Sequence, residues 1–145
     1  MAQLTFPIVA GELLVDVRVN HDASSLLDIQ SAGRSAPASV VARALLYTGS
    51  NVTVIAPGIL TQLGLIPCYY TATHGIGGLV QVGVYRVSLI ILDASRPQPP
   101  WFTRPDLLVM DMPSPLPVDV LIGMDVLLEC RLLVDGPNRT FMIDF

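Results

Sequence analysis

The residues best placed to do chemistry lie in a tight turn, Thr48-Gly49-Ser50, directly after the apolar run Ala44-Leu45-Leu46 and Tyr47. A turn of this make-up at the end of a buried strand can hold a reactive group in a fixed place. Its hydroxyls supply donors, and its glycine lets backbone approach closely. The side chain it would present is Tyr47. A phenol titrates near pH 10, by reference value about 10, so it keeps its proton at neutral pH and cannot act as a general base there. A second glycine-rich turn, Gly75-Ile76-Gly77-Gly78, follows His74, and two carboxylates, Asp119 and Asp125, flank the run 120–124. Cys68 and Cys130 stand far apart with no CxxC pair, and with only His21 and His74 they make no zinc site of the usual spacing. No metal or cofactor is expected. Both cysteines are expected to be buried as small hydrophobes, and His74 to face solvent beside its turn.

The chain that must position these groups has 145 residues, enough for one domain over residues 1–145 that buries about two thirds of its unfolded surface. Apolar residues make up 52% and charged residues 14%, which argues against disorder and implies apolar surface covered elsewhere, most simply between two copies. Twelve acids oppose eight arginines, with no lysine, for a net charge of -4. The basic footprint of a nucleic-acid binder is missing, and so is the amine that Schiff-base chemistry needs. No charged residue occurs between Arg43 and Arg86, yet threonines, Ser50, Asn51, Gln62 and glycines interrupt that tract well short of the roughly 20 apolar residues of a membrane span. The opening residues lack a basic n-region and carry Glu12 within their apolar run, unlike a secretory signal. A cytoplasmic setting is the expectation.

Strand signals dominate. Val15, Val17 and Val19 alternate with polar residues, and Ala10-Gly11 suggests that this strand forms a hairpin with residues 4–9. Residues 21–39 read as a loop with at most one regular turn at 26–29. Residues 40–46 and 52–55 read as strands either side of the Thr-Gly-Ser turn. A short helix follows at 58–63, with Pro57 at its start and Gly64 as its left-handed stop. The Gly75–78 turn then tips a hairpin of 67–73 with 80–85, and strand continues over 87–92. A proline-rich loop over 96–105 is expected to fold Trp101 and Phe102 onto the sheet. Further strands are expected at 107–110, 118–122, 132–134 and 140–145, with a short helix from Asp125 to Glu129. Many short strands with frequent turns point to an all-β barrel or sandwich.

Three segments, in order, resemble the retropepsin-like aspartic proteases, the single-domain relatives of pepsin that act as homodimers: "ALLYTGSNVTVI", "HGIGGLVQV" and "DVLIGMDVLLECRLLVDGPNRTFMIDF". In that family the first is an apolar pair followed by Asp-Thr-Gly-Ala/Ser. The second is a glycine-tipped flap, and the third is a strand ending in glycine followed by a short helix. The resemblance covers roughly residues 4–145. It implies a closed all-β barrel with a flap hairpin and one or two short helices, whose final strand interleaves with the chain ends of a second subunit.

The resemblance also implies a mechanism. Two Asp-Thr-Gly loops, one per subunit, place two carboxylates close enough to share a proton, so that one activates water and the other protonates the developing oxyanion. The corresponding residues here are Tyr47 at the aspartate position, Thr48 to lock the paired loops, Gly49 to leave room, and Ser50 to donate to the neighbouring carboxylate. Substrate would lie extended beneath Gly75, Ile76, Gly77 and Gly78. Tyrosine at position 47 removes the carboxylate from both copies, so endopeptidase activity is expected to be absent. Asp119 and Asp125 are expected to be structural. The alternative is a peptide-binding or dimerisation module of the same fold without turnover. A monomeric barrel holding a small apolar ligand is the third reading.

Overall fold

The computed structural model describes residues 2–75 and 77–145. Along the chain come β1 (Gln3–Pro7), β2 (Leu14–His21), α1 (Ala23–Ser31), β3 (Val40–Leu46), β4 (Val54–Ile55), α2 (Pro57–Gln62) and β5 (Tyr69–Gly75). They are followed by β6 (Gly78–Leu92), β7 (Trp101–Asp111), β8 (Val120–Ile122), α3 (Met124–Leu127), β9 (Arg131–Asp135) and β10 (Thr140–Asp144).

Six strands close into a barrel in the order β2-β3-β8-β4-β7-β6, because β6 pairs back onto β2. The length of β6 makes this closure possible. One of its edges pairs with β7, while the other is shared end to end by β5, opposite Gly78–Val84, and β2, opposite Val87–Leu92. A register shift between Val87 and Leu89 bends the strand as it passes from one partner to the other. The first half of β6 therefore stands out with β5 as a two-stranded arm. Its second half is barrel wall.

Alternation drives burial as the valine pattern requires. Val15, Val17 and Val19 point into the core, joined by Leu89 and Ile91 from β6 and by Val120 and Ile122 from β8. A second sheet, β1-β10-β9, packs on the barrel through Leu4, Phe6, Phe141 and Ile143. Phe6 and Phe141 stack at 5.3 Å, and Phe145 meets Phe102 of β7 edge-on at 5.5 Å.

Several expectations are corrected. β1 does not form a hairpin with β2. The turn at Ala10-Gly11, with φ of 52° and 75°, closes only a single bridge between Val9 and Glu12, and β1 pairs with β10 instead. The final strand β10 lies between β1 and β9 of its own chain, so both of its edges are filled without a second subunit. Residues 23–31 form a helix rather than a loop, started by Asp22, whose carboxylate accepts from Ser25 N–H at 3.2 Å. Among the described residues this makes three helices, where one or two were expected. Trp101 and Phe102 lie in strand β7, not in a loop, and Trp101 is 60% exposed while Phe102 is buried. Cys68 is exposed and Cys130 half-buried, because Cys68 sits at the outer base of the β5–β6 arm. Among the described residues no helix is long and apolar enough to cross a membrane.

Candidate functional site

β3 and β4 flank β8 on opposite sides, β3 parallel to it and β4 antiparallel. The chain leaving Leu46 must therefore cross the end of β8 before it returns as Val54, and residues 47–53 make that crossing over Gly123. Tyr47 N–H donates to Ile122 O at 2.8 Å, and Met124 N–H donates to Ser50 O at 2.8 Å. A Cβ on Gly123 would lie 2.7 Å from Val52 C and 2.9 Å from Ser50 O, so only glycine fits beneath the crossing. Thr53, fully buried, anchors the far side. Its N–H and hydroxyl donate to the two carboxylate oxygens of Asp125 at 3.0 and 2.7 Å, and its Oγ1 accepts from Gly123 N–H at 3.1 Å. Asp125 also accepts from Val126 N–H at 2.9 Å, so its carboxylate is committed to holding the elbow.

The elbow presents Tyr47, 47% exposed. Its ring folds back over Gly49, where a Cβ would stand 2.9 Å from the ring Cζ and 3.0 Å from the phenol oxygen. Gly49 thus makes room for the phenol. Ser50 Oγ donates to Val52 O at 2.7 Å and accepts from Val52 N–H at 3.3 Å, which turns the hydroxyl to its own loop. Thr48 and Gly49 are exposed, and among the described residues the Thr48 hydroxyl has no partner within the chain.

Opposite the elbow, the β5–β6 arm ends in the pair Gly75 and Gly78. Gly77 and Gly78 take φ of 92° and 125°, a region that side chains disfavour. Ile76, expected at this tip, lies outside the described residues. A Cβ on Gly75 would approach Pro113 Cβ at 3.8 Å, so the arm leans over the proline-rich loop that leads into β8. Between arm, elbow and loop lies a cleft of about 440 Å³. Tyr47, Ser50 and Gly75 line it with the exposed His74, while Thr48, Gly49, Gly77 and Gly78 do not. Its remaining walls include Val54, Met112, Pro113, Leu116 and Leu121, and among the described residues no carboxylate lines it. Those apolar wall residues were not singled out in the sequence. The alternation of Pro113, Pro115 and Pro117 was the available signal for an exposed, stiff loop.

A larger cavity of about 670 Å³ meets the cleft at Met110 and does hold carboxylates. Both have other partners: Asp106 pairs with Arg86 at 3.1 Å, and Asp125 is tied to Thr53. At the base of the arm, burial, then the Asp111 carboxylate, then Tyr70 push the Tyr85 phenol above its ordinary value. Among the described residues no cluster of histidine, cysteine, aspartate or glutamate is placed to hold a metal ion.

No protein-family model matches the sequence, and no curated protein matches it significantly. By structure the chain is similar to a retropepsin-like aspartic protease from Rickettsia conorii, with a TM-score of 0.65 at 12% identity, over 99% of this chain and 91% of that one. The fold is that of a retropepsin-like barrel.

Proposed function

We propose that this chain is a retropepsin-like domain that holds an extended peptide between the Tyr47 elbow and the β5–β6 arm and does not hydrolyse it. The observation that carries this reading is the absence, among the described residues, of any carboxylate from the lining of the cleft. Peptide hydrolysis by water in such a site needs one ionised group to draw off a proton and one protonated group to supply another. With the elbow in the aspartate's place, the phenol of Tyr47 brings no ionised carboxylate, and His74 stands on the far side of the cleft with no orienting carboxylate among the residues that line it.

Binding survives that loss. The arm is a flap in shape, with glycines at its end, and its neighbours Pro113 and Leu116 give apolar walls against which alternate side chains of an extended segment can pack. Pairing of two elbows across a two-fold axis is part of the same proposal. Its support is the exposed Thr48 hydroxyl, which lacks a partner in its own chain among the described residues, together with the retropepsin-like fold.

Titrating the chain into labelled extended peptides, with chromatography of the same mixtures after long incubation at pH 5 and pH 7, tests the reading. Saturable binding with intact peptide is expected. Release of fragments would overturn the non-hydrolytic part, and absence of binding to every peptide would overturn the rest.

A further inference from the structure

Beside the cleft lies a second, smaller pocket of about 280 Å³, separated from it by Tyr47, Leu116 and Leu121, which line both. It is below the roughly 300–1,000 Å³ of a small-molecule site and suits one long side chain. Its walls are apolar, from Leu45, Leu116, Val118 and Leu121, with the exposed ring of Tyr47 along one side. Glu12 is the one charged residue that lines it. The tight turn at Ala10-Gly11 and the bridge between Val9 and Glu12 hold that residue in place, with Glu12 N–H donating to Val9 O at 2.9 Å. Glu12 is exposed and makes no ion pair among the described residues.

We propose that this pocket receives a lysine or arginine side chain of the bound peptide, its aliphatic stem against Leu45 and Leu121 and its cation at Glu12. The reasoning rests on the peptide-binding reading above and adds the class of residue recognised. An apolar pocket with a single, exposed carboxylate in its lining matches a side chain that is apolar along its length and cationic at its end. An apolar side chain would fill the walls but leave Glu12 unused, and an acidic one would be repelled by it. Tyr47 also lines the pocket, and a cation that reaches the face of its ring would be stabilised further, which would give tyrosine at this position a use in binding that it lacks in hydrolysis.

The test is fluorescence anisotropy with labelled eight-residue apolar peptides, each carrying lysine, norleucine or glutamate at one position, every position being scanned in turn. At one position lysine is expected to bind about five- to tenfold more tightly than norleucine, the scale of a partly exposed ion pair with a cation–π contact. That advantage should shrink as salt is raised. E12Q should erase it, and E12K should turn the preference towards glutamate. If peptides bind but lysine gains nothing at any position, or if its gain persists in E12Q, the inference falls and the peptide-binding reading stands. If no peptide binds, both fall together.

Discussion

The carboxylate of Asp125 accepts three hydrogen bonds, two of them from the buried Thr53, and so closes the underside of the elbow. Thr53→Val keeps the volume but removes the hydroxyl that both donates to Asp125 and accepts from Gly123 N–H, and a loss of about 1–3 kcal/mol in unfolding free energy is expected by denaturant titration. The two thiols should part company chemically. Burial, then the Glu129 carboxylate, push the Cys130 thiol up, while Cys68 is exposed. One equivalent of a thiol reagent is therefore expected to react quickly at pH 7 and the second more slowly, with peptide mapping placing the first at Cys68. Asp135 is held below its ordinary carboxylate value by the Asn138 side chain and then its N–H, at 2.7 and 3.2 Å. A lowered folded-state value contributes stability that is present above the unfolded value and lost as pH falls through the folded one. Asn138→Ala should accordingly raise the Asp135 midpoint in an NMR titration and leave stability near neutral pH less changed by acidification. At this scale the tight turn after Tyr47 was legible, because residue type and turn chemistry are local. The bond that ties the Ser50 hydroxyl to Val52 two residues on was not foreseen, and Cys68 was misplaced, because its exposure depends on how the arm leaves the barrel.

Elements with strong periodicity or punctuation were legible. The glycine-ended arm, the Pro57-to-Gly64 helix and β3 fall where alternation and turn residues put them. The helix α1 was not, because it buries none of its residues and so carries no apolar stripe to read. Its Asp22 cap was the remaining sign. Register was equally hidden: the pairing of β1 with β10 joins Gln3 to Asp144, and nothing local announces a contact across that length of chain. The crossing of residues 47–53 over β8 is the element on which the site depends, and Gly123 is its test. A methyl there meets backbone of Ser50 and Val52 rather than a movable side chain. Gly123→Ala is expected to cost about 1–3 kcal/mol and to shift the amide resonances of residues 47–53. An unchanged melting temperature and an unchanged spectrum would contradict this packing.

For the whole molecule, composition foretold apolar surface in excess of one small core, and Leu133 at 58% exposed is one example of what remains outside. The expected route to a dimer interleaves the last strand with a second subunit, whereas in the single chain β10 is flanked by β1 and β9. With that arrangement, the surfaces left for pairing are the elbows and the outer edges of β1 and β9. Sedimentation at micromolar concentration is expected to give twice the 15.6 kDa of one chain. A stable monomer would leave each elbow alone and remove the paired site. Whether Tyr47 stands at the catalytic position, as proposed, is tested most directly by a cleavage assay at mildly acidic pH with the unsubstituted chain beside Tyr47→Asp. Product is expected only from Tyr47→Asp, and addition of a statine-type transition-state mimic should abolish it. Equal cleavage by the unsubstituted chain would contradict the claim.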